Sequence, residues 1–122
     1  MTKVALADKF AQFDEAWSPK IVGRVDDYDV KIAKIRGAFV WHAHEDADEL
    51  FLVIAGRLRL EFRDRTEIVG PGEFVIAPKG VEHRPMSETP ETQILLFERA
   101  GVVNTGDQAP SAHTNAAEDI TG

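Results

Sequence analysis

The central part of the chain is a series of short apolar segments, each bounded by glycine, proline or acidic residues. These segments are rich in Val, Ile, Leu and Phe, which favours short β-strands joined by tight turns. The predicted strands are Val25–Ile35, Ala38–His44, Leu50–Ala55, Leu58–Phe62, Glu67–Val69, Phe74–Ala77, Val81–Arg84 and Thr92–Glu98. Short strands at regular spacing are typical of a sandwich or a barrel, so the sequence predicts an all-β fold.

A different pattern precedes the strands. Apolar residues recur there at the period of an amphipathic helix, and they are Leu6, Phe10, Phe13 and Trp17. A proline disfavours helical geometry at the residue before it, so this helix is predicted to end before Pro19. The 122 residues are therefore divided into a helical segment, a β-barrel and a tail, which span residues 1–19, 20–100 and 101–122 of a single domain.

Two of the predicted strands differ in how they must be buried. Residues 56–63 alternate between apolar and charged side chains, so one face of this strand is packed and the other faces solvent. Leu50–Ile54 is apolar at every position and needs cover on both faces. One face lines the interior, and the other is covered by the helix, by a second sheet or by another copy of the chain. We predict a homodimer, since symmetric pairing is the most economical of these solutions.

Three of the four histidines form a pattern with one glutamate. His42 and His44 are two residues apart, so on a strand both side chains point to the same side. Glu49 follows a polar turn and leads into an apolar strand, where a buried carboxylate needs a partner. His83 comes directly after the turn at Pro78–Gly80. Imidazole nitrogens and a carboxylate oxygen are ligands for Fe, Mn, Ni, Cu, Co or Zn, so these four residues are the predicted ligands of a divalent transition metal.

Composition limits the remaining possibilities. The chain has no cysteine, which leaves a metal to nitrogen and oxygen donors and gives no information on the redox compartment. Its net charge is −7, and the four arginines between residues 57 and 65 are interleaved with acidic residues, so nucleic acid is not a predicted partner. Asp8 and Lys9 interrupt the first apolar stretch, and Leu50–Ala55 is far shorter than the roughly 20 residues of a membrane span. We therefore predict a cytoplasmic protein without a membrane partner.

The two histidine-containing segments resemble the paired motifs of the cupin superfamily. The first reads His42-x-His44-x4-Glu49-x6-Gly56, and the second reads Gly72-x5-Pro78-x-Gly80-x2-His83. This resemblance covers residues 37 to about 87 and implies a jelly-roll β-barrel that holds a metal through the two histidines, the glutamate and the later histidine. The chain looks like the small single-domain bacterial cupins, many of which are labelled as sugar-phosphate isomerase-like.

Two departures from the cupin pattern leave the subfamily open. Four residues separate Gly37 from His42 where the pattern usually has five, and Ser87 stands where Asn is common. Neither position is a ligand, so the departures do not affect the predicted metal site.

Several functions are compatible with this resemblance, because cupins include both enzymes and binding proteins. The first is a metalloenzyme, either an oxygenase or an isomerase or lyase, in which the metal is a Lewis acid and a small polar substrate chelates it. The second is a non-enzymatic barrel that binds or senses a small molecule. The third is a barrel whose metal serves folding alone.

The sequence also suggests residues around the site. Glu49 is the candidate proton acceptor of an enzyme, and Phe51 and Val53 share its strand parity, so they are predicted to line the cavity. The pattern leaves open whether Glu82 or Glu98 faces the interior. The fourth histidine, His113, lies in the tail and is predicted to be unrelated to the site.

Overall fold

Two β-sheets form the framework of the protein. The computed structural model describes residues 2–108 and 114–122. Within them, the elements in chain order are α1 (Leu6–Phe10), β1 (Lys20–Val25), β2 (Tyr28–Ile35), β3 (Glu49–Ala55), β4 (Leu58–Phe62), β5 (Thr66–Val69), β6 (Phe74–Ala77), β7 (His83–Ser87), β8 (Thr92–Arg99) and β9 (Glu118–Asp119). The larger sheet has the order β6-β3-β8-β2-β1-β9, and the smaller one has the order β5-β4-β7. The predicted all-β fold with one short N-terminal helix is confirmed.

The main core fills the space between the two sheets. It contains Phe51 and Val53 of β3, which face Leu58, Leu60 and Phe62 of β4 in one cluster of buried residues. Burial along β4 alternates as its sequence predicts, because its charged residues lie on the outer face.

A second, smaller core lies on the outer face of the larger sheet. Phe10 and Phe13 pack there against Val22 of β1 and Ile32 of β2, and Ile54 of β3 adjoins them. The N-terminal segment therefore covers part of the outer face of β3, the strand whose apolar residues need cover on both faces.

The N-terminal helix is shorter than predicted. It ends at Phe10 instead of continuing to the residue before Pro19. Trp17 has a φ of 59°, in the left-handed region, and its N–H donates to the carbonyl oxygen of Lys34 at 2.9 Å. Phe13 packs in the outer core, and Trp17 packs against the main core. The helical spacing of these apolar residues therefore reflects contacts with two different parts of the fold and not one continuous helix.

The strand predicted over residues 25–35 is two strands. A tight turn at Asp26 and Asp27 reverses the chain, and Val25 pairs with Tyr28 across it. Asp26 has a φ of 51°, which short polar side chains tolerate better than most others. The strand predicted over residues 38–44 is reduced to isolated bridges, in which Ala38 pairs with Met86 and His42 pairs with His83.

The C-terminal tail contributes to the fold. Residues Glu118–Asp119 form β9, which pairs in parallel with the start of β1. Lys20 of β1 is buried, and its ammonium group lies 2.9 Å from Glu118. His113 lies outside the described residues.

Among residues 2–108 and 114–122, no helix combines the length and apolar character needed to cross a lipid bilayer. The cytoplasmic location and the lack of a nucleic-acid partner stay predictions.

Candidate metal centre

The residues predicted as metal ligands lie together inside the protein. His42 and His83 face each other across a bridge, in which each backbone N–H donates to the carbonyl oxygen of the other residue. Their rings are 4.4 Å apart, and the ring of His44 is 5.0 Å from that of His42. Glu49 is the first residue of β3 and completes the group. One ligand atom from each of the four residues lies within 4.8 Å of the others, so the cluster could hold a metal ion.

Hydrogen bonds fix how two of the imidazole rings point. The Nδ1 atoms of His42 and His83 each lie 2.9 Å from a backbone carbonyl oxygen, which belongs to Val40 and Val81 respectively. A carbonyl oxygen only accepts, so Nδ1 carries the proton in both rings and Nε2 keeps a free lone pair. The same arrangement orients metal-binding histidines in proteins.

The buried ring nitrogens of the cluster fit a metal. Nε2 of His44 and Nε2 of His83 are buried and have no hydrogen-bond partner among the described residues. They lie 3.4 Å and 3.5 Å from the same oxygen of Glu49, Oε1. Unpartnered buried polar atoms are rare in native proteins, and a metal ion between these rings and Glu49 would provide the partner. Three imidazoles and a carboxylate are a donor set suited to a divalent transition metal.

The charges of the cluster also suit a cation. Burial, together with the nearby His83 ring, lowers the pKa of His42 to about 4, so this imidazole is neutral at neutral pH. Burial by itself raises the pKa of Glu49, but its close neighbours Glu98, His44 and His83 outweigh burial and hold that pKa well below its usual value. The cluster thus offers a neutral imidazole and an ionised carboxylate, the forms that bind metals.

A second carboxyl group adjoins the cluster. Glu98 of β8 is the direct cross-strand neighbour of Glu49. Burial, and next the charge of Glu49, raise the pKa of Glu98 to about 10. Glu98 is therefore the acid that faces the interior, while Glu82 lies at the surface 3.4 Å from Arg63. Strand parity places Glu98 on the same face of β8 as Ile94 and Leu96. Leu95 and Phe97 on the other face are also apolar, so the sequence alone does not show which face points inward.

A small apolar cavity adjoins the cluster. Its volume is about 30 Å³, enough for about one water molecule. Two cluster residues, His42 and Glu49, line it together with Phe51. The other lining residues are Trp17, Pro19, Ala33, Ile35, Phe39, Pro85, Ile94, Leu96 and Asn104. Val53 is not among them, since it lies fully buried in the main core.

A comparison with known protein families identifies this architecture. The family model for the cupin domain matches residues 29–97, which is more than half of the chain. The chain belongs to the cupin superfamily.

Known relatives agree with this assignment. The cupin is 42% identical to a cupin-2 domain containing protein from Shewanella frigidimarina, with a TM-score of 0.76 over 79% of this chain and 93% of that one. It is 28% identical to protein NMB1881 from Neisseria meningitidis, with a TM-score of 0.73 over 81% of this chain and 100% of that one. It is also 37% identical to the uncharacterized protein YdbB from Bacillus subtilis over 67 residues, which are 54% of this chain. The match spans 59% of the length of YdbB.

Trp17 connects the two terminal segments of the cupin beside the cavity. Its ring stacks on Phe39 with the centroids 4.5 Å apart, and its Nε1 donates to the carbonyl oxygen of Arg36 at 2.9 Å. The carbonyl oxygen of Trp17 accepts from the side-chain amides of Asn104 and Asn115. This role could not be predicted from the sequence, because Trp17 follows the helical period and both asparagines belong to the tail.

The C-terminal segment also packs against the backbone of the cluster. Ala43, between the two histidines, donates its N–H to Oδ1 of Asp107 at 2.9 Å and accepts from the N–H of Asp107 at 3.0 Å. The carbonyl oxygen of His44 accepts from the N–H of Gly80 at 2.9 Å. Residues 43 and 44 are thus held from both sides, by the tail and by the turn before His83.

Proposed function

We propose that this cupin binds a divalent transition metal through His42, His44, Glu49 and His83 and uses it to act on a small molecule in the adjoining cavity. The observation that carries the proposal is that two of these residues, His42 and Glu49, also line the cavity. A molecule in the cavity would therefore adjoin the bound ion. A metal that serves folding alone is normally closed off from other ligands, so this arrangement favours a reactive or ligand-binding centre.

The cavity has a polar end, formed by residues of the metal cluster, and an apolar wall. When bound, the metal supplies a Lewis acid and a template for a substrate that chelates through two oxygens. Glu49 is the group that could accept a proton from such a substrate. Phe39, Phe51 and Leu96 exclude water and contact whatever part of the molecule is apolar. We infer a substrate with a polar, chelating end and a short apolar portion, and the cavity, which has room for about one water molecule, would have to widen to admit it.

Elemental analysis of the untagged protein is the first test. We expect about one Fe, Mn, Ni, Cu, Co or Zn ion per chain in the wild type, and its loss in His44→Ala, which lacks a ligand. His113→Ala is the matched control, because it removes the histidine that we predict to be unrelated, and it should keep the metal. The absence of stoichiometric metal from the wild type would contradict the proposal.

The metal found directs the assay that follows. Iron or another redox metal leads to measurements of O2 consumption, while zinc, manganese or nickel without oxygen uptake leads to isomerase and lyase assays. Within an active enzyme, a Glu49→Gln variant that keeps its metal but loses turnover would support Glu49 as the proton acceptor. A small molecule that stabilises the protein without being converted would instead identify the alternative function, a non-enzymatic binding or sensing barrel.

We further infer that the partner of this chain is a second copy of it. On the outer face of the larger sheet, Phe74 is 60% exposed and Ile76 is 46% exposed, and both lie on the edge strand β6. Their cross-strand neighbours Leu52 and Leu50 continue the apolar surface onto β3. An exposed apolar edge of this kind normally pairs with another chain. The groove beside it is lined by Asp46, Asp48, Lys79 and Arg99, and two-fold symmetry can pair these opposite charges.

Sedimentation velocity tests this interface. We expect a dimer for the wild type and a monomer for the double variant Phe74→Asp/Ile76→Asp, because two buried carboxylates in an apolar interface are costly. Ile68→Asp is the control, since Ile68 is 51% exposed but belongs to the smaller sheet, and this variant should remain dimeric. A monomeric wild type at micromolar concentration would rule the inference out.

A further inference from the structure

A second, larger cavity lies between β1, β2 and the C-terminal segment. Its volume is about 250 Å³, against about 30 Å³ for the cavity at the metal cluster, and the two cavities share no lining residue. Pockets for drug-sized ligands begin at about 300 Å³, so a cavity slightly below that size can admit a small molecule. The larger cavity is therefore a candidate binding site of its own.

A β-bulge builds the floor of this cavity. Asp29 and Lys31 of β2 are two residues apart and share one face of the sheet, and their cross-strand neighbours are Arg24 and Ile21 of β1. Ile21 and Arg24 are three residues apart, so on a regular strand they would point to opposite faces. The register shift between Ile21 and Gly23 brings both to the face that Asp29 and Lys31 share. Three charged side chains thus line the cavity beside one another.

The two charged residues of β2 are almost completely buried and have hydrogen-bonding capacity left over. The side chain of Asp29 is 3% exposed, and that of Lys31 is 2% exposed. Oδ1 of Asp29 lies 3.2 Å from Nε of Arg24, yet it has no hydrogen bond among the described residues. The ammonium group of Lys31 carries three N–H donors and uses two of them, for Oε1 of Glu98 and for the carbonyl oxygen of Val102. The floor therefore contains an unused acceptor and an unused donor.

Small residues form most of the remaining wall. It consists of residues 100–103 and 116–117 of the C-terminal segment, of which four are alanine or glycine. At Gly101, a Cβ atom would meet no other atom within 4 Å among the described residues. The two valines of this wall, Val102 and Val103, are apolar. The cavity thus combines a polar, charged floor with a small-residue, apolar wall.

We propose that this cavity binds a small neutral molecule with several hydroxyl groups, a monosaccharide or a cyclitol. The charges of the floor are already paired, Asp29 with Arg24 and Lys31 with Glu98, so a charged ligand would be repelled by one member of each pair. A hydroxyl group both donates and accepts, so neighbouring hydroxyls can donate to Oδ1 of Asp29 and accept from Lys31. The carbon-bound hydrogens of such a molecule would pack against the apolar wall.

Saturation-transfer NMR tests this site. The probes are D-glucose, D-galactose, D-mannose and myo-inositol, and excess chelator is present so that no metal ion can bind them. We expect saturation transfer to at least one of these polyols, with a dissociation constant of about 0.1 to 10 mM. Glycine and inorganic phosphate, which are charged, should show none. The absence of transfer to all four polyols would overturn the proposal, and transfer to glycine or phosphate alone would overturn the class of ligand.

A substitution in the wall locates the binding. Ala116 is exposed at the rim, so Ala116→Phe can fill the cavity while the protein stays folded, and we expect it to weaken polyol binding about tenfold or more. Ala7→Phe is the matched control, because it adds the same ring at an exposed position of α1 outside the cavity, and it should bind like the wild type. Equal affinity in the two variants would mean that the polyol binds elsewhere.

A substitution in the floor tests the recognition chemistry. Asp29→Asn keeps the shape of the side chain but removes the charge of the acceptor, so we expect binding to weaken about tenfold. Unchanged affinity in a variant that melts cooperatively would overturn the role of Asp29. Should Asp29→Asn not fold, Ala116→Phe still decides whether the polyol occupies this cavity.

The proposal does not depend on metal binding. His44→Ala removes a ligand of the proposed metal site and lies outside this cavity, so it should bind polyols like the wild type. Loss of polyol binding in His44→Ala would show that the polyol occupies the metal centre instead and would overturn the inference. Loss of metal with full polyol binding in that variant would support two separate sites.

Discussion

Saturation with Co²⁺ or Zn²⁺ is expected to raise the melting temperature of this cupin by about 10 to 20 °C, and excess chelator is expected to reverse the change. A ligand that binds only the folded state stabilises it by about 4 kcal/mol when its free concentration is about a thousand times Kd. For a domain of this size, each kcal/mol corresponds to roughly 3 to 5 °C.

The physical reason lies in the polar groups that the fold buries at the centre. Nε2 of His44 and Nε2 of His83 lack hydrogen-bond partners among the described residues, and a buried polar group without a partner costs about 1 to 3 kcal/mol. A metal that accepts both lone pairs removes this cost. The apoprotein should therefore fold less stably than the barrel would with the same core and no such cluster.

Calorimetry with three controls measures the effect. Mg²⁺ should change the melting temperature little, because it prefers oxygen ligands to imidazoles. His44→Ala should lose most of the dependence on Co²⁺, while His113→Ala should keep it. Equal melting temperatures for the wild type in Co²⁺ and in chelator would contradict metal binding at this cluster.

The sequence predicted the parts of the structure that repeat or that follow one another closely. Alternation along Leu58, Leu60 and Phe62 is a local property of a strand with one buried face, so the period alone identified its packed side. The spacing of His42 and His44, and the position of His83 after a proline-glycine turn, are also local. The structure brings these residues together with Glu49, as the sequence suggested.

Contacts between distant segments left no recognisable pattern in the sequence. Lys31 and Glu98 are 67 residues apart, and each alone looks like an ordinary charged residue of a strand. Trp17 follows a helical period, yet it lies in a left-handed bend. Its backbone N–H donates to Lys34, and its carbonyl oxygen accepts from Asn104 and Asn115. Tertiary contacts override local propensity at such positions, and a single sequence does not contain the pairing that decides them.

Replacing Gly106 by alanine is expected to damage both the fold and the candidate metal centre. Gly106 has a φ of 56°, and a Cβ atom there would overlap the carbonyl oxygen of Ala43 and stand 3.1 Å from Nδ1 of His44. The overlapping atom is backbone, and the hydrogen bonds of Ala43 to Asp107 hold it in place. We expect a loss of about 2 to 4 kcal/mol in the free energy of unfolding. Movement of residues 43 and 44 should also weaken Co²⁺ binding about tenfold or more.

Gly101→Ala separates the two causes of this effect. Gly101 also has a positive φ, of 88°, but no atom of the described residues lies within 4 Å of a Cβ placed there. Its substitution should cost only the left-handed conformation, about 1 kcal/mol, and leave Co²⁺ affinity unchanged. Urea unfolding and Co²⁺ titration of both variants give the comparison. Equal effects of the two substitutions would mean that the tail does not support His44, whereas a larger loss of metal affinity in Gly106→Ala would make the C-terminal segment part of the centre.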